Sequence, residues 1–354
     1  MTPAELSKAL GAYSILKRKL EPARYEAEKA FRALLPELYP EHEMGPGGPG
    51  GPGGPGGPGG IPAGGPPGMN QALTNIMVAL LSGEKVDNNT MVQELGFTYD
   101  DLAAAVKNAD PVKKPIPRGL VLMTFDDSTI DHYTVAAPVL EKYGFKGVFF
   151  TTEMEHPMGG GPGFEDKTRF MTWEQIRELS DRGHEIANHS LHHDLSFATA
   201  TEEEIRASVL GLEEQCAKYG IPKPITFGYP GGGCTRHMED ILRAEGYRWG
   251  RGELKGDERE LMGSAPYDPY LDTPMIVPNV AAFTERGFRD LLDATEDGKV
   301  LLMVKHQVDG SGGMPEPMPF EDQIKAIYEG GGRCITFREL EEYIDPEKAY
   351  AYTH

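Results

Sequence analysis

Two adjacent carboxylates, Asp126 and Asp127, close an apolar run in "GLVLMTFDDST", and two imidazoles, His189 and His193, follow a second run in "EIANHSLHH". An unpaired carboxylate is costly to bury, so a strand that ends in two of them needs a partner for each. One hard oxygen from Asp127 with imidazoles from His189 and His193 is a facial ligand set for a divalent cation, with coordination positions left for water and substrate. Consecutive residues at a strand end point in different directions, so Asp127 can ligate while Asp126 takes a proton from a water that the cation activates. His306 ends a further apolar run, "LLMVK", ahead of the glycine-rich "GSGG", and suits a general acid. Each residue alone has a plainer reading: the histidine pair as a hydrogen-bonded turn, Asp126 as a helix cap, His306 as a satisfied barrel histidine. Their common placement at strand ends favours chemistry.

The elements that must position these groups alternate. From about Pro117, short apolar runs ("LVLMTF", "GVFFTT", "HEIANHS", "ITFGYP", "YRWGRG", "MIVPNV", "VLLMVKH", "CITF") are separated by helical stretches such as "TWEQIRELSDRG" and "EEEIRASVLGLEEQCAKYG". Seven or eight strand-helix units predict an α/β fold, a (β/α) barrel over 117–345, with active groups on the rim where the strands end. Residues 346–354 read as a C-terminal tail.

Before the barrel, 1–44 carry Leu6, Leu10, Tyr13, Leu16 and Leu20 at helical spacing. Residues 45–68 repeat Gly and Pro, with Gly at every third position through Gly60, and read as a flexible or polyproline-like linker rather than a collagen strand. Residues 69–116 read as a small helical accessory region. The formal net charge of -20 over 354 residues disfavours nucleic acid and acidic membrane surfaces. Three cysteines without metal-type spacing support neither a disulfide framework nor a thiolate zinc site. With no apolar leader and no run of membrane-spanning length, the expectation is cytoplasmic, or secreted if a signal was removed.

"TFDD", "HSLHH" and His306, in that order, resemble the first, second and last motifs of the NodB-homology polysaccharide deacetylases, carbohydrate esterase family 4, over roughly 117–345. The resemblance implies a distorted barrel holding a divalent metal, zinc foremost with cobalt, nickel or manganese as alternatives, that removes N-acetyl groups from sugars. It makes Asp126 the base, Asp127, His189 and His193 the metal ligands, and His306 the acid. The third motif departs: where the family has Arg, any residue, Pro, Tyr, this chain reads "FGYPGGG". Gly228 stands at the arginine that normally pairs with the base, and Arg251 or Arg248 is the candidate replacement. Gly231 stands at the tyrosine whose backbone N–H contacts the oxyanion, and glycine keeps that N–H. Tyr229 or Trp249 is the candidate for the lost aromatic wall.

The leading expectation is a metal-dependent hydrolase that removes N-acetyl or N-formyl groups from an amino sugar or oligosaccharide. A second keeps the metal chemistry and changes the substrate to a non-sugar amide or cyclic ureide. A third is an inactive, metal-stabilised binding or scaffold protein whose N-terminal region drives homo-oligomer assembly; the presence of both Asp126 and His306 speaks against it.

Overall fold

The computed structural model describes residues 110–353 apart from 156, 158–160, 194–199, 255–265, 270–271, 281–283, 296–297 and 312–315. The expected N-terminal helices, the Gly/Pro linker and nearly all of the accessory region lie outside the described residues.

β1 (Leu120–Asp126) is followed by a π-helical turn (His132–Ala136) that runs into α1 (Ala137–Lys142). Then come β2 (Val148–Thr151), α2 (Trp173–Asp181), β3 (Glu185–Asn188), α3 (Glu202–Lys218), β4 (Thr226–Cys234), α4 (Arg236–Ala244) and β5 (Trp249–Leu254). β6 (Val277–Pro278), α5 (Glu285–Asp293), β7 (Leu301–Lys305), α6 (Phe320–Glu329), β8 (Arg333–Cys334), α7 (Phe337–Leu340) and α8 (Pro346–Thr353) complete the order.

The sheet runs β6-β5-β4-β3-β2-β1-β7, with every pairing parallel and β8 added on the first residues of β1. Just after β6, Val280 forms a parallel bridge with Met303 of β7, and its N–H donates to Leu302 O at 2.9 Å. That bridge brings the two ends of the sheet together, so the expected distorted barrel is the observed one. Its irregularity is physical: β6 is two residues long, and β8 shares one side of β1 with β2.

The strand period of two sorts the chain into two layers. Leu120 and Leu122 share a buried cluster with Phe150, Ala187, Trp249 and Leu302, taken from strands all round the sheet, and fill the barrel interior. Val121, Met123 and Phe125 pack outward with Leu140 of α1, Ile176 and Leu179 of α2, and Ile324 and Ile327 of α6. The helices are specified locally as well. Thr201 caps α3 and pairs reciprocally with Glu204, and Ile205, Val209, Leu212 and Cys216 form its buried stripe.

Two boundaries differ from the sequence expectation. The compact unit begins before Pro117, because Val112 pairs antiparallel with Ile344. Residues 346–353 form α8 rather than a tail, since Ala349 is fully buried against the barrel's interior cluster. No helix among the described residues is long and apolar enough to cross a membrane.

Candidate active site

Parity decides which side chains reach the mouth of the barrel. Asp126 continues the inward series Leu120, Leu122, Thr124; His189 continues Glu185, Ala187; Arg251 follows Trp249; His306 follows Leu302 and Val304. Asp126, His189 and His306 sit at the C-terminal ends of their strands, where a barrel gathers its functional groups, and Arg251 reaches them from within β5.

Asp127, His189 and His193 come together, each offering one ligand atom within 4.8 Å of the others. Asp127 Oδ1 lies 3.7 Å from His189 Nε2 and 3.5 Å from His193 Nε2. The backbone is bent to achieve this: Asp127 and His193 adopt left-handed φ values of 76° and 54°, as do Ser128 and Ser190 beside them. Non-glycine residues take that conformation at some cost and cluster at functional sites.

The donor set fits a divalent cation. His189 Nδ1 is 2.7 Å from Gly228 O, and a carbonyl only accepts, so Nδ1 carries the proton and Nε2 presents a lone pair. Burial pushes the His189 pKa down to about 4, which keeps the ring neutral, as a ligand must be. Asp127 Oδ1 is buried and has no hydrogen-bond partner, the state expected of an oxygen aimed at a cation.

Asp126 is 3% exposed, and burial alone would raise its pKa. The Arg251 guanidinium reverses the sign: Nη2 donates to Asp126 Oδ2 at 2.5 Å, and with smaller contributions from His189 and His306 the carboxyl is held below its ordinary value. Asp126 Oδ1 is left buried without a partner, and Oδ2 is 3.6 Å from His189 Nε2. His306 is one-third exposed, with Nε2 3.9 Å from Asp127 Oδ2.

Gly228 and Arg251 are register partners on β4 and β5. A Cβ at 228 would lie 2.7 Å from Phe150 Cδ1, 2.9 Å from Arg251 Nη2 and 3.0 Å from His189 Nδ1. The space a β4 side chain would need is therefore filled from the neighbouring strand. Arg248, the other candidate, immediately precedes β5 and is bound bidentately by Glu341. Beyond Gly228 the register slips, five residues of β4 against two of β5, so Gly231 stands exposed on a bulge with φ 65°.

The expected aromatic wall is corrected by the structure. Tyr229 has outward parity and is fully buried against Phe227, beneath α4. Trp249 faces inward but lies deep in the barrel, tilted against Phe337 with its indole N–H on Glu341. Both side chains are fully buried.

One supporting pair was not anticipated. The Ser128 hydroxyl accepts from Thr152 N–H at 3.0 Å and donates to Thr152 O at 3.1 Å, while Thr152 Oγ1 donates to Leu191 O at 3.1 Å. Thr152 thus ties the loop after Asp127 to the loop between His189 and His193. The only sequence signal was a polar pair, Thr151–Thr152, closing "GVFF".

Residues 113–250 match the family model described as polysaccharide deacetylase. This segment resembles the polysaccharide deacetylases. Its curated relatives include YxkH of Bacillus subtilis (strain 168), 30% identical over 141 residues that make up 39% of this chain and 46% of YxkH. They also include the poly-beta-1,6-N-acetyl-D-glucosamine N-deacetylase of Escherichia coli (strain K12), 30% identical over 94 residues, 25% of this chain and 14% of that enzyme. The chain thus spans less than half the length of either relative. Among solved structures it is similar to a chitin deacetylase from Colletotrichum lindemuthianum at 14% identity and a TM-score of 0.45, over 67% of this chain and 96% of that one. It is also similar to a family 4 acetyl xylan esterase from Clostridium thermocellum in complex with a cobalt ion, at 21% identity and a TM-score of 0.41, over 65% and 96%. The polysaccharide deacetylase match holds Asp126, Asp127, His189, His193, Gly228 and Gly231. Arg251 and His306 lie beyond it, and their part in the site rests on geometry.

Proposed function

We propose that the barrel is a metal-dependent hydrolase that removes N-acetyl or N-formyl groups from an amino sugar or oligosaccharide. The observation that carries this reading is the adjacency of the neutral His189 imidazole, the His193 ring and an orphaned carboxylate oxygen to a second carboxylate paired with Arg251. A divalent cation held by Asp127, His189 and His193, zinc foremost, would polarise the acyl carbonyl and lower the pKa of a water.

The chain's own groups supply the proton chemistry. Asp126, anionic and fixed by Arg251, accepts the proton of the attacking water. Gly231, on the exposed bulge, is the candidate backbone donor to the developing oxyanion. An amide nitrogen leaves as a neutral amine only if it receives a proton as the C–N bond breaks, and His306 delivers it from the rim.

Metal analysis of the purified chain, paired with acetate and formate assays on N-acetylated oligosaccharides before and after chelation and zinc restoration, tests the reading. The panel includes β-1,6-linked N-acetylglucosamine, the substrate named for the Escherichia coli relative. About one metal per chain with chelator-sensitive release supports it. Bound metal without release from any sugar turns the assignment toward a non-sugar amide, and absence of metal removes the ligand assignment. Asp126→Asn is expected to keep the metal and lower turnover by about 100- to 10,000-fold.

A further inference from the structure

The carbonyl and amides of the segment that carries His306 are held by a buried polar cluster at the start of the π-helical turn, five residues after the base. Asp131 is 3% exposed. Its Oδ2 accepts from the N–H of Val308 at 2.5 Å and of Asp309 at 3.3 Å, and its Oδ1 accepts from Thr129 Oγ1 at 2.6 Å. His132 is fully buried, its ring tilted against the stacked pair Phe125 and Phe149, and its Nε2 is in close contact with His306 O and 2.9 Å from Thr129 Oγ1. A carbonyl only accepts, so Nε2 carries the proton and donates to the backbone of His306 itself.

The platform beneath is rigid. Ile130 N–H donates to Arg169 O and Met171 N–H to Ser128 O, and Val308 packs against the outer core. These contacts leave nothing of the segment's position to chance except the His306 side-chain torsions. Each hydrogen bond that the buried Asp131 carboxylate accepts comes from this loop's backbone or from the neighbouring Thr129 hydroxyl.

We propose that Asp131, with Thr129 and His132, is a positioning device for His306, fixing the backbone from which the imidazole reaches the leaving nitrogen. This rests on the reading of His306 as the acid of an amide hydrolase. Displacing a proton donor by about 1 Å can cost roughly 100-fold, while a leaving group that departs as a stable anion needs no such donor. The device therefore matters for amides and much less for activated esters.

The test compares the metal-loaded full chain with Asp131→Ala, Thr129→Val and His132→Phe on an N-acetylated glucosamine oligosaccharide and on para-nitrophenyl acetate. The last variant keeps a ring in the aromatic slot and so retains folding if loss of Asp131 does not. The expected result is a fall in kcat on the amide of about 10- to 100-fold with KM little changed, and a far smaller fall on the ester. Amide hydrogen exchange at Val308 and Asp309 is expected to speed up in Asp131→Ala. Equal losses on both substrates in all three variants, or unchanged exchange at 308 and 309, would overturn the proposal. Failure of the unmutated chain to release acetate from any amide is a different result: it removes the acid role, and exchange alone then decides whether the clamp exists.

Discussion

Arg251 reaches Asp126 from β5 across a glycine, Gly228, that leaves β4 without a side chain at that point. An arginine and a glycine on paired strands have thus divided between them one position's worth of space. Both partners are about 5% exposed or less, and a buried carboxylate stripped of its cation is strongly destabilised.

Removal of that cation has a defined pH signature. Arg251 holds the Asp126 carboxyl low against the effect of burial, so Arg251→Met raises its pKa and the ionised form persists only at higher pH. The acidic limb of kcat/KM is expected to move toward neutrality, with a loss of about 10- to 100-fold at pH 7 that deepens at pH 5. A pH profile of the variant checks this; an unmoved limb with uniformly low activity would mean that Arg251 acts by shape alone.

The glycine is as informative as the arginine. Gly228→Ala places a Cβ 2.7 Å from Phe150 Cδ1 and 3.0 Å from the ring nitrogen that orients His189. Overpacking of this kind costs about 1 to 3 kcal/mol, so a lower Tm and weaker zinc retention are expected together. Differential scanning calorimetry with metal titration reads both, and a neutral substitution would show that Phe150 has room to move.

Much of this site is legible in the sequence because strand ends are. Asp126, His189 and His306 each follow an apolar run, and that run fixes both burial and position on the rim. Tyr229 packs in the core for a reason equally visible in the sequence: on β4 it shares parity with Phe227 rather than Gly228, and so points to the helices. Arg248 and Arg251 could not be separated without the register, which pairs Arg251 with Gly228 and leaves Arg248 before the start of β5. The Asp131–His132 clamp was not readable at all, because its partners are backbone groups 174 to 178 residues away.

Metal affinity is expected to depend on a residue that touches no metal. Thr152→Val is nearly isosteric and removes the donor to Leu191 O, loosening the loop between His189 and His193 relative to Asp127. Supporting hydrogen bonds of this kind are worth about 10- to 100-fold in affinity. Competition with a chromophoric chelator measures it, and an unchanged zinc Kd would assign the loop spacing to the bonds between the Ser128 hydroxyl and the Thr152 backbone and to Glu153 N–H on Leu191 O.

A further buried imidazole, far from chemistry in role, sets how the fold responds to acid. His184 Nδ1 accepts from Gly147 N–H at 3.1 Å, and Nε2–H donates to Glu141 at 3.0 Å, so protonation would break the first bond. Burial pushes its pKa down to about 4 from 6.5. Between those values the unfolded chain binds a proton that the native state refuses, so stability is full above about pH 6.5 and is lost progressively toward pH 4. The contribution is up to about 3 kcal/mol. His184→Phe removes the titration and both hydrogen bonds, so it is less stable than the parent at pH 7, and the gap is expected to narrow as the pH falls. Urea unfolding of the two chains at pH 7, 5.5 and 4.5 measures the gap; a constant difference would mean that His184 is already charged in the folded protein.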